Sequence, residues 1–81
     1  MTINFLTFKK YLTDNNILLF DSQYRIAHFR YNLLKDTNEN IIMKLNNVTL
    51  HNLINSLLNK NTERINWIIN KFNNNNNNNF I

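Results

Sequence analysis

The chain has 81 residues and a mass of 9.8 kDa, one small domain, with 43% hydrophobic and only 17% charged residues. It contains no Gly, Pro or Cys, which excludes glycine-rich phosphate loops and nucleotide-binding turns as well as disulfides, zinc–cysteine sites and thiol nucleophiles. Nine Lys and Arg against five Asp and Glu give a net charge of +4 and a pI near 9.7, and because the cations are scattered this permits an anionic partner without demanding one.

In chain order, residues 3–14 place Phe5, Phe8 and Leu12 on one helical stripe, with Thr2 or Asn4 as N-cap. Asp14-Asn15-Asn16 ends that helix, asparagine being the residue after glycine that best tolerates a left-handed exit. Ile17-Leu18-Leu19-Phe20 then reads as a short buried strand, and Asp21-Ser22-Gln23 as a turn. Residues 24–34 alternate: Arg25, Ala27, Phe29, Tyr31 and Leu33 share one strand face, and Tyr24, Ile26, His28, Arg30 and Asn32 the other. After a polar turn over 35–39, residues 40–45 form a third strand carrying Ile41, Met43 and Leu45 on one side and Ile42 and Lys44 on the other.

From Thr49 the period returns to 3.6. Leu50, Leu53, Ile54, Leu57 and Leu58 mark one helix; Ile65, Ile68, Ile69 and Phe72 mark a second, with Asn61 or Thr62 as its cap. A single rod over this stretch would be about 36 Å long, more than so small a core can cover, so two helices are expected. Seven consecutive asparagines at 73–79 precede Phe80 and Ile81, and such a polar tract is expected to be a disordered tail after a domain over 1–72.

These elements sum to an α+β domain: an N-terminal helix, a three-stranded antiparallel sheet and two C-terminal helices packed on one sheet face. Its expected core includes Phe5, Phe8, Leu12, Leu18, Phe20, Ala27, Phe29, Tyr31, Leu33, Ile41, Met43, Leu45 and the apolar stripes of the last two helices. A core of this size gives marginal stability, which leaves room for a homodimer or a bound partner.

Asparagine supplies 21 of the 81 residues. Asn, Ile, Lys, Phe and Tyr together make up 46 positions, while Gly, Pro and Ala total one, Ala27. The codons behind that bias point to an AT-rich gene, so much of the asparagine is read as mutational drift. The N-terminal residues show no basic region followed by an apolar run, and no apolar run approaches the roughly 18 residues of a membrane span. A cytoplasmic protein with no membrane association is the expectation, the host cytosol if the gene is phage-borne.

Chemistry is sparse. The carboxylates Asp14, Asp21, Asp36, Glu39 and Glu63 fall at turns or helix starts, where capping and solubility account for them. His28 and His51 lack metal-ligand spacing, and neither serine sits in a nucleophile context. No catalytic residue, metal ligand or cofactor is assigned, and a non-enzymatic protein is expected. Two partner-binding surfaces stand out instead. One is the sheet face with Tyr24, His28 and Arg30, and with Lys44 beside it, a mixture suited to stacking on bases, pairing with phosphates or anchoring a protein contact. The other is the row Arg64, Trp67 and Lys71 on the last helix, with Lys60 one turn earlier; Trp67 falls off the Ile65–Ile68–Ile69–Phe72 stripe.

The inferred order of elements around Phe5, Phe20, Phe29, Met43, Leu53 and Ile68 resembles that of small phage-encoded anti-CRISPR proteins, inhibitors of the Cas9 nuclease. The resemblance implies a phage or mobile-element inhibitor of a host defence or nucleic-acid-processing complex. The familiar inhibitors of that shape are acidic DNA mimics, whereas this chain is basic, so its target would be an acidic protein surface or a bound guide RNA. The sequence therefore supports a non-enzymatic interaction module whose partner is a larger protein or a nucleic-acid–protein complex. The alternative is a direct RNA- or DNA-binding protein using Arg25, Arg30, Lys44, Arg64 and Lys71.

Overall fold

The computed structural model describes residues 3–34 and 41–78, with side chains through Asn74. Among the described residues the protein is all-helical: α1 Phe5–Asp14, α2 Asp21–Asn32, a 3₁₀ turn Ile41–Lys44, α3 Asn47–Leu58 and α4 Thr62–Asn78. Helix α1 packs on α2, α2 on α3, and α3 on α4. The three-stranded sheet, and with it the α+β class, is therefore corrected: no described residue is in a strand. The element order that carried the anti-CRISPR resemblance is not the order this chain adopts.

The largest correction is at 21–32. Tyr24, Ala27 and Tyr31 are buried and His28 half-buried, which is the i, i+3, i+4, i+7 pattern of a helix, while Phe29 and Leu33 stay 65% and 64% exposed. Ala27 has no side chain beyond its β-carbon, so α2 can pass closely between its two neighbours. Asp21-Ser22-Gln23 is the first turn of that helix. The Gln23 Oε1 accepts from the Phe20 N–H at 2.9 Å, and Asp21 places a carboxylate at the positive end of the helix.

The two other expected strands are also replaced. Residues 17–20 form an irregular connector in which Ile17 is buried but Leu18 and Phe20 are 76% and 78% exposed. Tyr24 pins the connector: its hydroxyl donates to the Ile17 carbonyl at 2.7 Å and accepts from the Leu19 N–H at 3.1 Å. At Ile41–Lys44 the consecutive residues Ile41 and Ile42 are both buried, which an alternating strand with one solvated face does not do. Met43, expected inside, is exposed.

The remaining helices follow the expected stripes. Leu50, Leu53, Ile54 and Leu57 of α3 face Ile65, Ile68 and Ile69 of α4, and Phe8 and Leu12 of α1 complete the same core. The two C-terminal helices are separate, with the break at Asn59–Asn61. Asparagine manages four of the termini that glycine or serine usually would. Asn4 caps α1 by accepting from the Leu6 N–H at 2.8 Å, Asn46 caps α3 from Thr49 at 2.9 Å, and Asn61 caps α4 from Arg64 at 3.1 Å. Asn16 exits α1 at φ 63°, closing a Schellman turn in which the Ile17 N–H bonds the Leu12 carbonyl at 2.8 Å.

Helix α4 runs beyond Phe72 as far as Asn78, so the helix enters the asparagine tract. The rest of the expected tail, 79–81, lies outside the described residues, as does the expected turn at 35–39.

Candidate binding face

The last helix is oriented by its apolar stripe. With Ile65, Ile68 and Ile69 buried against α3, the position of Trp67 falls on the flank of α4 rather than underneath it, and the indole remains 51% exposed. Arg64 and Lys71 stand three residues before and four after it, the spacings that bring side chains together on a helix. The Arg64 guanidinium carbon lies 4.8 Å and the Lys71 Nζ 5.0 Å from the indole centroid. The expected row is therefore assembled on α4. Lys60 does not continue it helically: it sits in the α3–α4 link at φ 55°, outside α4.

Beside Trp67 a hollow of about 440 Å³ opens between α4 and the segment that leads into α3. Lys44 and Lys71 supply its cationic groups, Asn46 and Thr49 its neutral polar ones, and Leu45, Ile68 and Phe72 its apolar lining. A second hollow of about 310 Å³ is lined by Trp67, Asn70, Lys71 and Asn74. The two share Trp67 and Lys71, so the indole and the ammonium form the ridge between adjacent depressions.

Electrostatics favour an anion here. Among the described residues no acid lines either hollow, and the first turn of α3 carries none. Two of the chain's carboxylates are paired on α1 and α2, Asp21 with Lys9 at 3.0 Å and Asp14 with Lys10 at 3.2 Å, while Glu63 sits in the first turn of α4. The start of α3, where Asn46 caps the Thr49 N–H, adds the positive end of that helix's dipole to the charge of Lys44 and Lys71.

The sheet-face candidates have other work. Tyr24 holds the α1–α2 connector and is buried. The Nε2 of His28 donates to the Ile3 carbonyl at 2.7 Å, and its ring packs on Phe5 and Phe8 with centroids 5.4 and 5.3 Å away. Arg30 donates to the Leu57 and Leu58 carbonyls at 2.7 and 2.9 Å, closing the end of α3. Arg25 lies over the Phe5 ring at 5.0 Å. The exposed platform built from Tyr24, His28 and Arg30 thus disappears with the sheet; Lys44 alone moves to the α4 face.

Sequence reasoning missed Asn46, Thr49, Asn70 and Asn74. For the last two a signal exists, because they follow Trp67 by three and seven residues on the same flank. For Asn46 and Thr49 there is none, since only tertiary packing carries the start of α3 to α4. No group of three or more His, Cys, Asp or Glu residues that could hold a metal occurs among the described residues. Nor is any helix among them long and apolar enough to cross a membrane. No protein-family model, curated protein or solved structure matches the chain.

Proposed function

We propose that this protein is a non-enzymatic interaction module that binds an anionic macromolecule through the face of α4 centred on Trp67. The observation that carries the reading is the half-exposed indole with two cations over its ring, set beside a hollow lined by Lys44 and Lys71. A solvent-exposed tryptophan of this kind loses little rotamer entropy on binding and offers a large contact area, which is why it anchors interfaces. The reading also draws support from the side chains that would be needed elsewhere for chemistry: His28 is held by Ile3, Phe5 and Phe8, and Asp14 and Asp21 are held by lysines.

The test is retention on immobilised heparin, a polyanion without bases. Wild type is expected to elute at clearly higher salt than the Arg64→Glu/Lys71→Glu variant, while Lys9→Glu/Lys10→Glu, which makes the same change in net charge on α1, falls between them. Equal elution of the two double variants removes the α4 face as the anion-binding surface.

A further inference from the structure

We infer that the two hollows flanking Trp67 are adjacent subsites for single-stranded nucleic acid, a base stacking on the indole and phosphates pairing with Lys44 and Lys71. The inference rests on the α4 face being the anion-binding surface, and it names the partner class.

Three features separate a nucleic-acid strand from an acidic polypeptide. First, the depressions are consecutive and share one aromatic–cation ridge, Trp67 and Lys71, as suits a polymer whose repeat alternates a flat ring with a phosphate. At about 440 and 310 Å³ they lie in the lower range of small-ligand sites, which is the size class of a nucleotide. Second, the smaller hollow carries the amides Asn70 and Asn74, and the larger one the Thr49 hydroxyl and the amide nitrogen of Asn46, whose Oδ1 caps α3. An amide both donates and accepts, as the edge of a base requires, whereas a carboxylate-rich peptide would use only its donors. Third, Leu45, Ile68 and Phe72 give the larger hollow an apolar lining against which a ring can rest and a carboxylate cannot.

A single strand is favoured over a duplex because a paired base has both faces covered by its neighbours, and the indole can stack only on a base that has left the helix. The cation contacts over the indole do not block this. At an exposed site such a contact is weak, so a phosphate can draw Lys71 from the ring and open that face to a base. The Arg64 guanidinium plane, 4.8 Å from the centroid, is itself a surface on which bases stack. With Lys44, Arg64 and Lys71 engaged, the logarithm of affinity should fall with the logarithm of salt concentration at a slope of about −2.

Trp67 is the only tryptophan in the chain, so its intrinsic fluorescence reports the site alone. The experiment titrates the full-length protein with a short oligo-dT and a short oligo-rU, with a duplex of matched length and with poly-glutamate, at low and near-physiological salt. The expected result is quenching by both single strands, none by poly-glutamate, and weaker binding of the duplex. Anisotropy of the labelled strands should show roughly tenfold weaker binding by Trp67→Ala and by Lys71→Glu, and little change in Lys10→Glu, with circular dichroism confirming that the variants fold. Heparin retention with no strand binding overturns the nucleic-acid assignment and leaves the anion-binding face standing. Loss of both removes the face itself. Strand binding that neither quenches Trp67 nor responds to the two substitutions overturns the subsites, and quenching by poly-glutamate at least as strong as by the strands assigns the face to an acidic protein.

Discussion

The guanidinium of Arg30 donates to the carbonyl of Leu57 at 2.7 Å, and the same nitrogen reaches Leu58 at 2.9 Å, so a side chain of α2 terminates α3. The last carbonyls of a helix lack intrahelical partners and carry its negative partial charge, and a cation there answers both deficits. The contact spans the α2–α3 interface as well as the end of one helix, so its removal affects two elements at once. Arg30→Ala is expected to cost about 1.5–3 kcal/mol, the range for hydrogen bonds to a charged group. Urea unfolding monitored by circular dichroism checks this; Lys71→Ala, on an exposed flank, should change the midpoint far less. If Arg30→Ala leaves the midpoint in place, the cap contributes no net stability.

A second expectation separates two neighbouring asparagines. Asn46 caps α3 through its side chain, while Asn47 is an exposed first residue of the same helix. Asn46→Ala should lose about 1 kcal/mol, and Asn47→Ala less than about half of that. The same urea measurement distinguishes them, and equal effects would mean that asparagine content alone, without position, sets the stability.

Those caps also bear on what was legible in the sequence. The stripes of α1, α3 and α4 could be read because their apolar residues repeat without interruption, and the Arg64–Trp67–Lys71 row followed from that register. Helix α2 could not, for a physical reason: Phe29 and Leu33 are apolar yet outside, and with Ala27 and Tyr31 they complete an alternating pattern that competes with the helical one. The buried set Tyr24, Ala27, Tyr31 is equally visible, but it consists of a methyl group and two phenols whose burial depends on partners elsewhere in the chain. Tyr24 needs the Ile17 carbonyl, and Tyr31 accepts from the Ile42 N–H at 3.3 Å. Tertiary hydrogen bonds decided between two locally consistent readings. Likewise, Lys44 joined the site by lining the same hollow as Trp67 and Lys71, which no spacing along the chain encodes.

Tyr31 makes the fold sensitive to alkali. Its side chain is buried beneath the 3₁₀ turn, and burial pushes its hydroxyl from the ordinary 10.0 up to about 12, the backbone hydrogen bonds of Ile42 and Ile41 offsetting only part of that rise. The group is neutral when protonated. Below the unfolded value both states hold the proton and the contribution is fully present. Between about 10 and 12 the unfolded chain releases it first, so stability falls as pH rises, by on the order of 2 kcal/mol across the interval. Urea midpoints taken from neutral pH to about pH 12 should show this decline. Tyr31→Phe should start lower, having lost the Ile42 hydrogen bond, and fall less steeply; parallel curves would place the alkaline sensitivity elsewhere.

Lys60 offers the opposite kind of change, a substitution that strengthens the fold. It exits α3 at φ 55° in a chain without glycine. Its N–H reaches the Leu57 carbonyl at 3.4 Å, and the following Asn61 N–H bonds Ser56 at 2.9 Å, the paired geometry of a Schellman turn. A side chain with a β-carbon meets the following carbonyl in this conformation, at a cost of roughly 1–2 kcal/mol, and Lys has no short polar group with which to offset it. Asn16, in the same position after α1, has one. Lys60→Gly should therefore stabilise the protein by about 0.5–1 kcal/mol once the greater freedom of glycine in the unfolded chain is counted, and Lys60→Asn by a smaller amount. For a domain of this size that is a rise in Tm of several degrees, roughly 4–8 °C per kcal/mol. Thermal unfolding of the two variants decides it, with Asn16→Ala as the counterpart expected to melt earlier. A Tm for Lys60→Gly at or below wild type would show that the left-handed exit carries no strain.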